Sequence, residues 1–314
     1  MSRANRSARR SGRVESPATV LAGQGGAGIT SAPESMAPPV SRMGSAERRR
    51  RVSAERLRRI DGELSARDRA ILQSVADYGF LTTAHIQSLH FYDHATSEAA
   101  ARICRRVLAR LHRLAVIEPL QRRIGGIRAG SASFVWRVGP VGDRLLRQGS
   151  EQPRARRKEP STRFLDHRLA VADCACLLTT AARQRDFELV SIASEPSSWR
   201  PFLGLHGARE ILKPDLHVVT ASGEFEDHWF IEIDRGTESL PTVLKQCAQY
   251  ERYRRSGREQ AEAGVFPRVV WLVPEVYRRD RLTDTIRAAR DLDAALFRVA
   301  LPDDLLPLVV GGAS

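Results

Sequence analysis

Apolar positions between residues 65 and 114 recur at helical spacing. Ile71, Leu72, Val75 and Tyr78 share one face of a stretch that begins after Ser65 and stops at Gly79, which predicts a capped helix over 65–78. A short helix over 83–89 and a longer one over 97–114 follow, the second with Ser97-Glu98 as its cap and acidic first turn. Residues 116–122 read as extended, Gly125-Gly126 and Gly130-Ser131 as turns, and 133–138 as a returning strand. Three helices followed by a glycine-tipped hairpin is the order of a winged helix-turn-helix domain, here spanning residues 53–148.

Residues 149–160 are polar and end at a proline, the composition of a linker. Beyond them a long helix is predicted over 162–184, then strands at 187–193, 215–220 and 228–234, the last two joined at Ser222-Gly223. A helix over 239–254, a strand at 268–273, a helix near 283–292 and a strand at 295–301 complete the pattern. The order α-β-β-β-α-β describes a mixed sheet flanked by helices over residues 161–314, so the whole chain falls in the α+β class. Residues 1–52 contrast with all of this. They are rich in Ser, Ala, Gly, Pro and Arg with few aliphatic side chains, the composition of a disordered arm.

Charge changes the picture more than length does. The 314 residues carry 50 Lys and Arg against 37 Asp and Glu, a formal net charge of +13. That balance asks for a polyanionic partner, with nucleic acid first. The arm alone holds ten arginines and three glutamates. The four cysteines form no CxxC pair, which fits a reduced, cytoplasmic chain. No apolar run approaches the roughly 20 residues of a membrane span, so no membrane partner is expected.

On a helical wheel of residues 97–114, Arg102, Arg105, Arg106, Arg110 and Arg113 fall within an arc of roughly 140°. Ile103, Val107, Leu108, Leu111 and Leu114 lie opposite, and no acid occurs between Glu98 and Glu118. Such a helix packs on one side and offers guanidinium groups to double-stranded DNA on the other. Arg122, Arg123 and Arg128 in the hairpin extend the basic surface toward the flanking backbone.

A second constellation is acidic. Lys213-Pro214-Asp215 opens one strand, and Glu232-Ile233-Asp234 closes its neighbour. Glu232 and Asp234 share a strand face, and Asp215 lies within reach across the hairpin. Three carboxylates brought together suit Mg²⁺, which orients water and neutralises phosphate charge. Lys245 on the next helix is the candidate cation for the developing phosphate charge, and Gln246 and Tyr250 share a face of that helix. His167, beside Asp166, is a candidate base.

These residues resemble a known family. Arg110-Leu111, Val116-Ile117 and Gly139-Pro140-Val141-Gly142-Asp143-Arg144-Leu145-Leu146 are similar to the first half of replication-relaxation proteins. Leu165-Asp166-His167-Arg168, Lys213-Pro214-Asp215 and Glu232-Ile233-Asp234-Arg235-Gly236-Thr237-Glu238 are similar to the second half. The resemblance implies a role in replication, or in relaxation and mobilisation, of plasmids and integrated elements, in company with relaxase or replication proteins. The second half also resembles the PD-(D/E)XK nuclease superfamily. Asp215 and Glu232 match its two acids, while Asp234 stands where that pattern has lysine. Three readings follow: a DNA-binding protein of a mobile element, a Mg²⁺-dependent endonuclease using Asp215, Glu232 and Asp234, and a transcriptional regulator whose C-terminal domain forms a homodimer.

Overall fold

The computed structural model describes residues 53–120, 134–148, 159–184, 187–204 and 207–312. The arm, the hairpin arginines Arg122, Arg123 and Arg128, and most of the 149–160 segment lie outside them.

Helix α1 (Ala54–Glu63) starts at Ser53 and buries Leu57 and Ile60. Helix α2 (Ala66–Tyr78) is entered through a capping box. The Ser65 hydroxyl accepts from the Asp68 backbone N–H, and the Asp68 carboxylate accepts from that of Ser65. Gly79 ends α2 at φ +76°, a conformation open to glycine. Strand β1 (Leu81–Thr82) leads into α3 (Thr83–His90), and Thr96 caps α4 (Ser97–Arg113). The cap is therefore Thr96 and not Ser97, because the Thr96 hydroxyl accepts from the Ala99 N–H at 3.2 Å. Strands β2 (Ile117–Pro119) and β3 (Val135–Val138) pair antiparallel, and β1 joins on the far side of β3. Helix α5 (Pro140–Leu146) follows directly, with proline in its first turn.

The 22-residue α6 (Thr162–Arg183) precedes β4 (Glu188–Ser194). A separate hairpin of β5 (Arg200–Leu203) and β6 (Arg209–Leu212) comes next, then β7 (Leu216–Ser222) and β8 (Phe225–Ile233). Helices α7 (Leu240–Arg255) and α8 (Arg258–Ala263), β9 (Arg268–Leu272), α9 (Val276–Ala288), β10 (Phe297–Ala300) and α10 (Leu305–Val310) complete the chain. The main sheet runs β10-β9-β8-β7-β4. Its β4, β7 and β8 pairings are antiparallel, while β8, β9 and β10 run parallel.

Alternation along these strands sorts the core into two layers. Val218, Trp229, Ile231, Val270 and Leu272 pack on the α6 side. Phe230, Val269 and Trp271 pack with Val243, Tyr250 and Tyr253 of α7 on the other. The α6 layer continues without a break into Ile71, Val75, Ile86 and Leu111 of the first helices, and the described residues form one compact unit.

The α+β class stands, and several elements go beyond the sequence pattern. Helices α1, α5, α8 and α10 and the β5–β6 hairpin had no counterpart in it, and α9 begins at Val276 where a helix near Thr283 was expected. No helix of the described residues is long and apolar enough to cross a membrane. All four cysteines are free and buried.

Candidate functional site: a basic helix face and an acidic cleft

Helix α4 buries Ala100, Cys104, Leu108 and Leu111. Arg102, Arg105, Arg106 and Arg113 are exposed on the opposite side, and none of the four has an ion-pair partner among the described residues. Arg110 departs from the expectation. Its Nη2 lies 2.6 Å from both carboxylate oxygens of Asp68, which is 1% exposed. Burial disfavours the Asp68 charge, but Arg110 and the two Ser65 hydrogen bonds outweigh it and hold the carboxyl below the usual aspartate range. Arg110 is thus a tie between α4 and α2, and the outward ridge consists of the other four arginines.

The acidic residues meet in a cleft of about 460 Å³ between the first turns of α6, the ends of β7 and β8, and α7. Asp215 is 6% exposed and fully engaged. One oxygen accepts from the Ile233 N–H and the other lies 2.8 Å from Nε2 of His167. That bond raises the His167 pKa above its ordinary value against the opposing effect of burial. Glu232 is 9% exposed and accepts from the Tyr250 hydroxyl at 2.5 Å. Burial, with the Asp215 charge adding to it, lifts the Glu232 pKa well above the carboxylate range. Tyr250 is fully buried, and its pKa is raised first by burial and then by Glu232.

Asp234 lines the same cleft, but its oxygens are taken by Arg278 Nε at 2.7 Å and by the Gly236 N–H at 2.7 Å. Arg278 also donates to the Glu238 carbonyl at 2.8 Å, and Arg235 pairs with Asp166 at 3.1 Å. The Asp-Arg-Gly-Thr-Glu run is therefore a pinned turn, with Gly236 at φ +71°. Lys245 is exposed on α7 and does not line the cleft. Lys213 does, with its ammonium 4.5 Å from the centre of the Trp199 ring. Gln246 also lines it, and its buried Oε1 has no hydrogen-bond partner among the described residues.

The structure thus brings together Asp215, Glu232, His167, Gln246 and Tyr250, and ties Asp234 to a cation from α9. Among the described residues no group of three His, Cys, Asp or Glu side chains is arranged to hold a metal ion. Of the three carboxylates expected to hold Mg²⁺, Asp215 and Asp234 each accept from protein donors. What remains is a close carboxylate pair, Asp215 and Glu232, sharing one buried space.

Phe164, Trp199 and Arg278 belong to this region without any motif that marks them. Phe164 had a signal of another kind. It lies out of phase with Leu165, Leu169 and Ala172, the buried stripe of α6, and is 51% exposed at the cleft rim.

A model of the replication-relaxation family matches residues 72–269, a span that includes the α4 ridge and every acidic residue of the cleft. No curated protein and no solved structure matches the chain.

Proposed function

The chain belongs to the replication-relaxation family, and we propose that it is a DNA-binding protein acting in the replication or relaxation of a plasmid or integrated mobile element. The observation that carries this reading is the α4 ridge, four exposed arginines on one face of a helix whose other face is core. An arginine ridge of that kind suits the major groove and its bordering phosphates. In this reading α2, α3 and α4 with the β2–β3 hairpin are a winged helix-turn-helix, α4 is the recognition helix, and the hairpin flanks the backbone. In the same reading α6, β4, β7, β8, α7 and β9 make a restriction-endonuclease-like core, into which the β5–β6 hairpin and α8 are inserted.

The test is a salt titration of duplex binding. Arg102, Arg105 and Arg106 changed together to alanine should weaken binding at least tenfold. Each phosphate that is no longer neutralised should flatten the plot of log K against log salt by about 0.9. Unchanged affinity and slope would mean that α4 does not grip DNA.

A second reading, endonucleolytic nicking, is favoured by one observation, the buried Asp215–Glu232 pair beside His167. Incubating supercoiled plasmid with the protein and Mg²⁺ or Mn²⁺ checks it. Nicking that disappears in Asp215→Asn supports the enzyme, and intact plasmid under conditions of tight binding removes it.

A further inference from the structure

We infer that the cleft beside Asp215 and Glu232 seats a single strand of nucleic acid, with one unstacked base against Phe164 and the backbone held by Arg163 and Lys213. This rests on the reading of the chain as a DNA-acting protein but assigns a second site, separate from the duplex-gripping ridge.

The rim supplies the first argument. Phe164 is half exposed at the mouth of the cleft, so part of its ring is open to a ligand. Phe80 packs against one side of it, with ring centres 6.3 Å apart and planes nearly perpendicular. An exposed aromatic ring with a neighbour on one side suits base stacking, and within a strand only an unstacked base offers it a free face.

The cations supply the second. Arg163 adjoins Phe164, is exposed, and has no ion-pair partner among the described residues. Lys213 is exposed too, but its ammonium is held over Trp199, whose indole N–H donates to Glu195 at 3.2 Å. Two cations beside a platform match the alternation of phosphate and base along a strand.

The floor supplies the third. Gln246 lines the floor, and its buried carbonyl oxygen has no donor among the described residues, so a turn of the side chain toward the cleft would let it accept from the ring N–H of a base. Asp234 is paired with Arg278 and Asp215 is hydrogen-bonded to His167, so the floor repels phosphate less than three free carboxylates would. A volume of about 460 Å³ suits a ligand of small-molecule size such as a nucleotide, and is far too small for a duplex.

The experiment measures fluorescence anisotropy of the full chain with a labelled oligo-dT and, separately, with a mixed-sequence duplex. Phe164→Ala should weaken oligo-dT binding by about 5- to 100-fold. Lys213→Ala should reduce its salt slope by about 0.7. Both should leave duplex binding unchanged. Phe164→Leu keeps an apolar side chain against Phe80 but removes the ring, and should lose as much affinity as alanine. Oligo-dT affinity that survives both Phe164 variants overturns the inference. So does a loss confined to Phe164→Ala, since that traces to packing. The triple arginine variant of α4 separates the two proposals. If it loses duplex and keeps oligo-dT, both stand. If it loses oligo-dT while the cleft variants do not, the strand lies on the ridge and the cleft assignment falls. If the unaltered protein holds oligo-dT through Phe164 but no duplex, the cleft stands and the ridge reading falls.

Discussion

Asp68 and Glu232 are both buried carboxylates, and their neighbours push them in opposite directions. Asp68 faces a guanidinium and stays charged, whereas Glu232 faces burial and a second carboxylate. The sign of the linkage follows for Glu232. A folded pKa above the unfolded value means that the folded state holds a proton the unfolded chain has already released. Stability is then complete below the unfolded value and declines as pH rises toward the folded one. Glu232→Gln keeps an acceptor for Tyr250 and removes the titration. Between pH 5 and 8 its stability curve should be flatter than that of the unaltered protein. Its advantage should grow with pH, by at most about 1.4 kcal/mol per unit. Urea denaturation across that range measures it, and parallel curves would show that Glu232 is not a strained acid. At this scale the sequence reveals residue types but not their partners. Arg110 sits at one edge of an arginine arc, and nothing near it signals Asp68, 42 positions earlier. Asp234 reads as the third acid of a cluster until Arg278, 44 positions later, takes its charge. Asp215 was legible as a neighbour of Glu232 or Asp234, because the hairpin lays its strand beside theirs.

Elements with strong periodicity and a side-chain cap were mostly legible from sequence, α1 with its Ser53 cap being the exception, and elements without them were not. Helices α2, α6 and α7 begin at Ser65, Ser161 and Ser239, each accepting a backbone N–H. Helix α9 has no side-chain cap at its start, which removes the signal that would have placed it at Val276. The short β5–β6 hairpin hides behind Pro201, and α1 behind the arginines that surround Leu57 and Ile60. Helix α5 escaped for a different reason, since seven residues with a central glycine are a poor helix by propensity. The structure explains that glycine. A Cβ on Gly142 would lie 2.2 Å from the Val116 carbonyl oxygen and 2.7 Å from a Leu72 methyl. Gly142→Ala therefore sets a propensity gain of about 1 kcal/mol against a backbone clash that the neighbouring segment cannot relieve. The expected result is a net loss of about 1–3 kcal/mol, read as a lower denaturation midpoint with an unchanged slope. An alanine variant as stable as the parent would mean that α5 does not seat on this segment.

For the whole molecule, α6 is the element that joins the ridge to the cleft. On one side His167 meets Asp215, and one residue later Arg168 caps the end of α2 through the Tyr78 and Asp77 carbonyls. Arg168 is 5% exposed and also pairs with Glu195 at the cleft wall. Further along, Asp173 lies 2.7 Å from His85 of α3, and Arg183 donates to the Ser88 and Leu89 carbonyls. These side chains and a continuous apolar layer tie the first helices to the sheet. A duplex held on α4, as proposed, would be fixed in orientation relative to the cleft. Rigid coupling of this kind predicts shared unfolding. The slowest-exchanging amides of α4 and of β8 should open with the same free energy in native-state hydrogen exchange. Arg168→Ala leaves two carbonyls and the Glu195 carboxylate without their cation, and should lower both values together by about 3 kcal/mol. Were α4 to exchange faster in that variant while β8 stayed protected, the halves would be separate cooperative units. The cleft would then have to receive its strand from a DNA-binding module that swings free.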